Sequence, residues 1–425
     1  MAANQNRHER QAKKQARNVA RRAKNDASRD GFHNFLTGNI LCQDRSRSSN
    51  VSELEVDLAA RQIEHCLEAW NFLSQATWSL LNCQDNQAIH MAYYSEIRSA
   101  NSLLASSGIA EKSSASYFIR SDNAREDIAG ARTHTFVKYV WPLWSQRTDA
   151  IEAFESLKVT QSITLKDVGS ALFRSRLSNS QAVNHWGYEL TKFHNDSSAR
   201  NRASYQTSHA YNGIPSLRNR NHCQIVALAW DHLQPGGIDG QMQFEIIYAQ
   251  YLVHSYCLDK ATENNIVNPQ NYDAELTRFI ERLSGNTGSQ ETLLAQIFPL
   301  SADYEDDRFN LFLHAERPNS GPENIYCRAV ILARLATNKL NANIEATHSR
   351  RALDWIELWL QESGVIAEQD SIHEVIAYAN EYIDSAANIR AINLREIWST
   401  EQNAKNASMA CKINSSLCWG LSDQV

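Results

Sequence analysis

Residues that break helices are scarce in this sequence, which has only seven prolines and fifteen glycines among 425 residues. Through long stretches the apolar residues recur at intervals of three and four, which is typical of helices that bury one face. The hydrophobic content of 43% is enough for a sizeable core. The sequence therefore predicts an all-α, multi-helical protein in which residues 115–120 are the best candidate for a short strand.

Long apolar runs and nucleotide-binding motifs are also missing. No stretch reaches the roughly eighteen apolar residues of a membrane span, and no apolar signal region follows Met1. We therefore expect a soluble, cytoplasmic protein without membrane contact. The sequence has no Walker loop, no G-x-G-x-x-G and no G-x-S-x-G, so nucleotide hydrolysis and serine-hydrolase chemistry have no support.

The cysteines lack the pairing that a disulfide framework or a zinc site requires. All eight are scattered without a C-x-x-C pair, and most fall in apolar segments, so reduced core thiols are expected. His222-Cys223 and His254-x-x-Cys257 contain metal-binding residue types, but no second pair has the spacing of a structural zinc site. Neither a metal nor another cofactor is expected.

Helical periodicity and turn residues divide the chain into three regions. Residues 1–50 are predicted to be a basic N-terminal arm and linker without stable structure, and residues 51–235 a first helical domain. Residues 236–425 form a second helical domain of unknown role, separated from the first by the glycine-rich stretch Pro235–Gly240. Helices are predicted at residues 54–80, 86–106, 133–157, 183–193, 241–258, 323–337, 352–363, 371–387 and 392–403.

Positive charge is concentrated at the start of an otherwise acidic chain. Residues 1–30 contain nine Lys and Arg against three Asp and Glu, out of totals of 42 and 48, so residues 31–425 contain 33 and 45. Six cations in the arm recur at intervals of three and four and would line one stripe of a helix: Arg7, Arg10, Lys14, Arg17, Arg21 and Lys24.

This basic stripe has no apolar stripe opposite it, so the arm is expected to fold only on a partner that neutralises it. The phosphates of RNA or another nucleic acid fit this requirement best. Residues 8–17 resemble the arginine-rich N-terminal peptides of lambdoid phage antiterminators, which fold into a bent helix on a small RNA hairpin. A solvated tail, or a segment that docks on a protein partner, is the alternative interpretation.

A polar stretch between residues 194 and 215 contains a candidate catalytic site. Arg202 and His209 are separated by six residues, and Arg200-Asn201 lies just upstream. With Ala92-Tyr93-Tyr94 on an upstream helix, this stretch resembles the R-x(4–6)-H pattern of the HEPN superfamily, helical proteins that include many ribonucleases of toxin and antiphage defence systems. The resemblance spans residues 51–215. Family members commonly have a polar residue such as Asn after the Arg, whereas Ala203 follows Arg202 and Asn201 follows Arg200.

The resemblance implies a metal-independent ribonuclease with Arg202 and His209 as catalytic residues and Arg200 and Asn201 as their neighbours. In such enzymes the His moves a proton at the ribose 2′-hydroxyl or the leaving oxygen, and the Arg stabilises the added charge on the phosphorane. A homodimer is also implied, because HEPN-type sites are typically completed across a dimer.

Two functions are therefore compatible with the sequence. The first is a nucleic-acid-directed helical protein acting as such a ribonuclease. The second is a non-catalytic helical adaptor or scaffold that binds protein and nucleic-acid partners. Under the second interpretation, the stretch after residue 194 is a polar surface turn, with Asp196 or Ser197 as a cap and its arginines in solvent.

Overall fold

The computed structural model describes residues 53–81, 84–111, 116–119, 125–128, 136–137, 140–141, 144, 148–173, 190–205, 220–233, 243–263, 266–302 and 307–347. The α-helices of these ranges are α1 Glu53–Leu81, α2 Asp85–Ser106, α3 Thr148–Glu155, α4 Leu165–Phe173, α5 Leu190–Tyr205, α6 Arg220–Leu233, α7 Gln243–Ala261, α8 Pro269–Thr287, α9 Glu291–Ile297, α10 Asn310–Glu316 and α11 Pro322–Thr347. The strands are β1 Ile109–Ala110, β2 Ser116–Ile119, β3 Arg125–Ile128, β4 Thr262–Glu263 and β5 Ile266–Val267. Helix dominates the described ranges, which confirms the predicted all-α class.

Helices α1 and α2 form an antiparallel hairpin whose limits agree closely with the predicted 54–80 and 86–106. Along the hairpin, Ser102 Oγ donates to the carbonyl of Gln62 at 2.8 Å, and Phe72 stacks on Tyr94 nearer the turn. Gly108 follows α2 with φ of 81°, a conformation that favours glycine, and marks the end of the helix.

Helix α11 packs against the hairpin and runs antiparallel to α1. Trp70 Nε1 donates to Thr337 Oγ1 at 2.7 Å. At the other end of the contact, the hydroxyl oxygens of Thr77 and Tyr326 are 3.0 Å apart. The predicted helix 323–337 is therefore correct but too short, because α11 continues to Thr347. Described helices from both sides of the predicted domain boundary share one hydrophobic core. The boundary residues 234–242 lie outside the described ranges, so the division into two domains stays a prediction.

The strands are short, at two to four residues each. The order of the first sheet is β1-β2-β3, with antiparallel pairing such as Tyr117 opposite Asp127, and β2 confirms the strand predicted within residues 115–120. Strands β4 and β5 form a two-stranded antiparallel hairpin between α7 and α8. The side chain of Asn268 caps α8 by accepting from the amides of Gln270 and Asn271, and Gly288 ends it in the left-handed region.

The core contains the free, buried thiols of Cys66, Cys257 and Cys327, as predicted. Burial raises the pKa of Cys66 and of Cys257 to about 12, so these thiols are neutral at physiological pH. In the described part of the chain, no three His, Cys, Asp or Glu side chains are grouped to hold a metal ion. None of the described helices combines the length and apolarity needed to cross a membrane.

Candidate functional site

Helix α5 contains three of the four predicted catalytic residues: Arg200, Asn201 and Arg202. The helix extends to Tyr205, well past the predicted end at residue 193, so the polar surface turn considered above is wrong for residues 194–205. His209 lies outside the described residues, as do the six cations of the basic arm. The pairing of Arg202 with His209 and the helical stripe of the arm therefore stay predictions.

Asp196 anchors α5 in the core instead of capping it. Its side chain is fully buried and receives two hydrogen bonds from Arg328 of α11, from Nε at 2.8 Å and from Nη2 at 2.7 Å. Arg328 Nη1 also donates to the backbone carbonyls of Ala315 and Arg317, at 3.1 and 3.2 Å. A buried, bidentate pair of this kind fixes the orientation of both helices.

Glu96 of α2 completes a buried carboxylate cluster with Asp196 and Arg328. Its Oε1 atom lies 3.6 Å from Arg328 Nε. Burial first, and then the negative charge of Asp196, raise the pKa of Glu96 well above its usual range. The raised pKa favours the protonated form of Glu96, which donates a hydrogen bond to Asp196. In that form the buried cluster contains one negative and one positive charge.

Nearer the surface, Arg200 lies over the ring of Tyr94 on α2. The guanidinium carbon is 5.1 Å from the ring centroid, and Nη2 donates a hydrogen bond to the Tyr94 hydroxyl. Nη1 donates to the side-chain oxygen of Asn201 at 2.9 Å. The ring of Tyr94 also stacks on Phe72, at 5.3 Å between ring centroids. The position of Arg200 is thus set by aromatic and amide groups.

His90 lies one turn before Tyr94 on the same face of α2. Its Nδ1 atom is 2.8 Å from Ser204 Oγ of α5, and its ring centroid is 4.9 Å from that of Tyr94. Partial burial first, and then the charge of Arg200, lower the pKa of His90, so the ring is neutral at pH 7. We call His90, Tyr94, Arg200 and Ser204 the α2–α5 patch.

Arg202 is exposed and does not belong to this patch. Two residues along a helix correspond to a rotation of about 200°, so Arg202 lies on the opposite side of α5 from Arg200. The structure thus pairs Arg200 with Asn201 and places Arg202 on the other side of α5 from Arg200. His90 was missed from the sequence, because its partner Ser204 is 114 residues away. The spacing of His90 and Tyr94 by four residues was the only available signal.

The electrostatics of the patch depend on which carboxylates are already neutralised. Asp196, one turn before Arg200, is paired with Arg328, and the raised pKa of Glu96 favours its neutral form. Within the part of the chain that the structure describes, no carboxylate forms an ion pair with Arg200, whose bonded partners are the neutral groups of Tyr94 and Asn201. The patch therefore has a net positive charge of one at neutral pH.

Comparison with known proteins gives no family: no family model, curated protein or solved structure matches the chain.

Proposed function

We propose that this protein binds RNA, and that the RNA contacts both the basic arm and helix α5. The observation that carries the proposal is the charge of Arg200, which is not neutralised by a described carboxylate and lies in a half-buried position beside Tyr94 and His90. A guanidinium in this state retains hydrogen-bond donors and charge for a phosphate group.

The arm supports the same function through its charge. RNA is repelled by the acidic remainder of the chain, and a tethered cationic segment offsets this repulsion by steering phosphates toward the protein. Each phosphate neutralised by Lys or Arg releases a condensed counterion, which adds to affinity at low salt. The arm would thus control encounter and affinity, while the folded helices would position the bound strand.

In its catalytic form, the proposal is a metal-independent, HEPN-type ribonuclease of an antiphage or toxin system. Arg202 and His209 are then the first candidates for catalysis, with Arg200 and Asn201 as neighbours, and a homodimer would complete the site. The support for this form is the sequence resemblance and the location of Arg200, with Asn201 as its hydrogen-bond partner, beside the hydroxyl of Tyr94 on α2. Cleavage should persist in EDTA and be lost in His209→Ala and Arg202→Ala; cleavage that both substitutions leave unchanged excludes these two residues as catalysts.

A salt titration tests RNA binding itself. The full chain and a form lacking residues 1–30 are titrated with one labelled single-stranded RNA at several salt concentrations. If the arm contacts about four to six phosphates, log K should fall against log salt with a slope of roughly −3 to −4, at about 0.7 per contact. Removal of the arm should flatten the slope and leave the far-UV circular dichroism of the core unchanged.

Equal slopes for the two forms would exclude the arm from RNA binding. If neither form binds RNA at low salt, the proposed function is wrong and the adaptor interpretation replaces it. An adaptor would lose a protein–protein contact, and no RNA affinity, when the arm is removed.

A further inference from the structure

We infer that the α2–α5 patch binds one nucleotide unit of RNA, with Arg200 on the phosphate and His90 on the adjacent ribose 2′-hydroxyl. The inference rests on the proposed RNA-binding function and assigns it a specific site. It also assigns a phosphate contact to Arg200, which the sequence named only as a neighbour of the candidate catalysts, and adds a histidine from another helix.

The two helices place the two groups at a suitable separation. His90 and Tyr94 are four residues apart on α2, and Arg200 and Ser204 are four residues apart on α5. Their cross-contacts pair His90 with Ser204 and Tyr94 with Arg200. The helices are therefore antiparallel here, and the two pairs are offset by one turn, about 6 Å at 1.5 Å per residue. A phosphate and the 2′-hydroxyl of the ribose that bears it fit within that separation.

Arg200 is prepared to bind an anion. A guanidinium has five N–H donors, and the contacts with Tyr94 and Asn201 use two of them. The Nε atom is buried without a partner. The two contacts use one N–H group of Nη1 and one of Nη2, so each terminal nitrogen retains one further donor for a phosphate oxygen. The nearest acid groups do not compete, because Asp196 accepts two hydrogen bonds from Arg328 and the raised pKa of Glu96 favours its neutral form.

His90 has one ring nitrogen available for a ligand. Nδ1 is engaged with Ser204, which fixes the ring, and because His90 is only half-buried we assign the ligand to Nε2. In the neutral ring, one nitrogen donates and the other accepts, and a 2′-hydroxyl both donates and accepts. The ribose hydroxyl is the group by which a protein distinguishes RNA from DNA at a given position. His90 would therefore provide the RNA preference of the patch, and Arg200 its affinity for either nucleic acid.

The test compares short single strands that differ only in the sugar: oligouridine, oligodeoxyuridine and 2′-O-methyl oligouridine, each titrated against the full chain at pH 7.5. The unaltered protein should bind the ribose form about 3- to 10-fold more tightly than the other two, the range of one net hydrogen bond. His90→Ala should bring the three affinities together without weakening the deoxy form. His90→Gln, which keeps an amide donor and acceptor, should retain part of the preference.

Arg200→Ala should weaken all three strands by a similar factor, about 10-fold or more, because a charged phosphate contact is lost. Arg278→Ala is the matched control: Arg278 is exposed on α8, pairs with Glu275, and its loss changes the net charge equally. It should alter affinity less than 2-fold at the same salt.

The outcomes separate this inference from the proposed function. If the full chain binds none of the strands, RNA binding itself is wrong and the inference is wrong with it. If the chain binds RNA but its preference for ribose is absent, or is unchanged in His90→Ala, RNA binding stands and the His90 assignment is overturned. The 2′-O-methyl strand tests the ribose preference on the unaltered protein, so that result does not depend on how a variant folds.

Discussion

Replacing Arg328 with Met tests whether the buried carboxylate cluster holds helix α5 in place. Met is similar to Arg in length but is apolar, so the substitution removes the charge and the hydrogen bonds with little loss of volume. It removes the two hydrogen bonds that Arg328 donates to the buried carboxylate of Asp196 and those it donates to the carbonyls of Ala315 and Arg317. Removing one partner of a buried ion pair typically costs about 3–5 kcal/mol. We expect Arg328→Met to lower the free energy of unfolding by this amount.

The measurement is urea unfolding at pH 7, followed by circular dichroism at 222 nm. Asp196→Asn should cost less than Arg328→Met, because Glu96 would then release its proton and supply a carboxylate to Arg328. Arg278→Ala removes an arginine from an exposed pair and should change stability by no more than about 1 kcal/mol. A loss of less than about 1 kcal/mol in Arg328→Met would refute the reasoning, because the cluster would then contribute no more than a surface pair.

Three further predictions concern the described core. The unfolded chain releases the Glu96 proton near pH 4.5 and the folded protein holds it to higher pH, so the stabilising contribution of Glu96 is lost as pH rises through that interval. Glu96→Gln should remove this loss, so the stability of the variant minus that of the unaltered protein should be larger at pH 8 than at pH 4. The same stability difference at both pH values would contradict this prediction. Gly285→Ala should stabilise by about 0.5–1 kcal/mol in thermal unfolding, because Gly285 is inside α8 and the added Cβ meets no atom within 4 Å beyond its chain neighbours and the backbone of its own helix. Gly288→Ala should instead destabilise by about 1 kcal/mol because φ is 71° there. Changes of the same sign would be inconsistent with this reasoning. Iodoacetamide at pH 8 should alkylate Cys66 and Cys257 only after unfolding, since burial raises the pKa of each to about 12; rapid modification of the native protein would show that they are accessible.

Local periodicity was sufficient to predict the helices that bury a continuous apolar face. The hairpin of α1 and α2 and the start of α11 are of this kind, because apolar side chains recur there at three and four residues and Gly108 marks an end. The end of α11 was missed because its last turns bury polar side chains: Asn343 donates to the Gln62 side chain across the core at 3.0 Å. A sequence pattern scores such residues as surface or loop.

Helix α5 shows the same limit at the candidate site. Its stretch from Asn195 to Ser198 is polar and was compatible with a turn, yet Asp196 is buried because Arg328 reaches it from a position 132 residues away. No local rule connects these two positions. For the same reason, Arg200 could be named as a candidate from the sequence, whereas its neighbour His90 became visible only once α2 and α5 were placed side by side.

The packing of α11 on α1 has a consequence for the order of events during synthesis. Thr337 contacts Trp70 across a separation of 267 residues. A ribosome adding about 5–20 residues per second needs roughly 13–53 s to traverse that interval. Throughout it, the face of α1 that bears Trp70 and Thr77 has emerged without the helix that later covers it. Completion of this core is therefore a late, long-range step, and a chain terminated before residue 322 would keep that face uncovered and prone to association with other nascent chains.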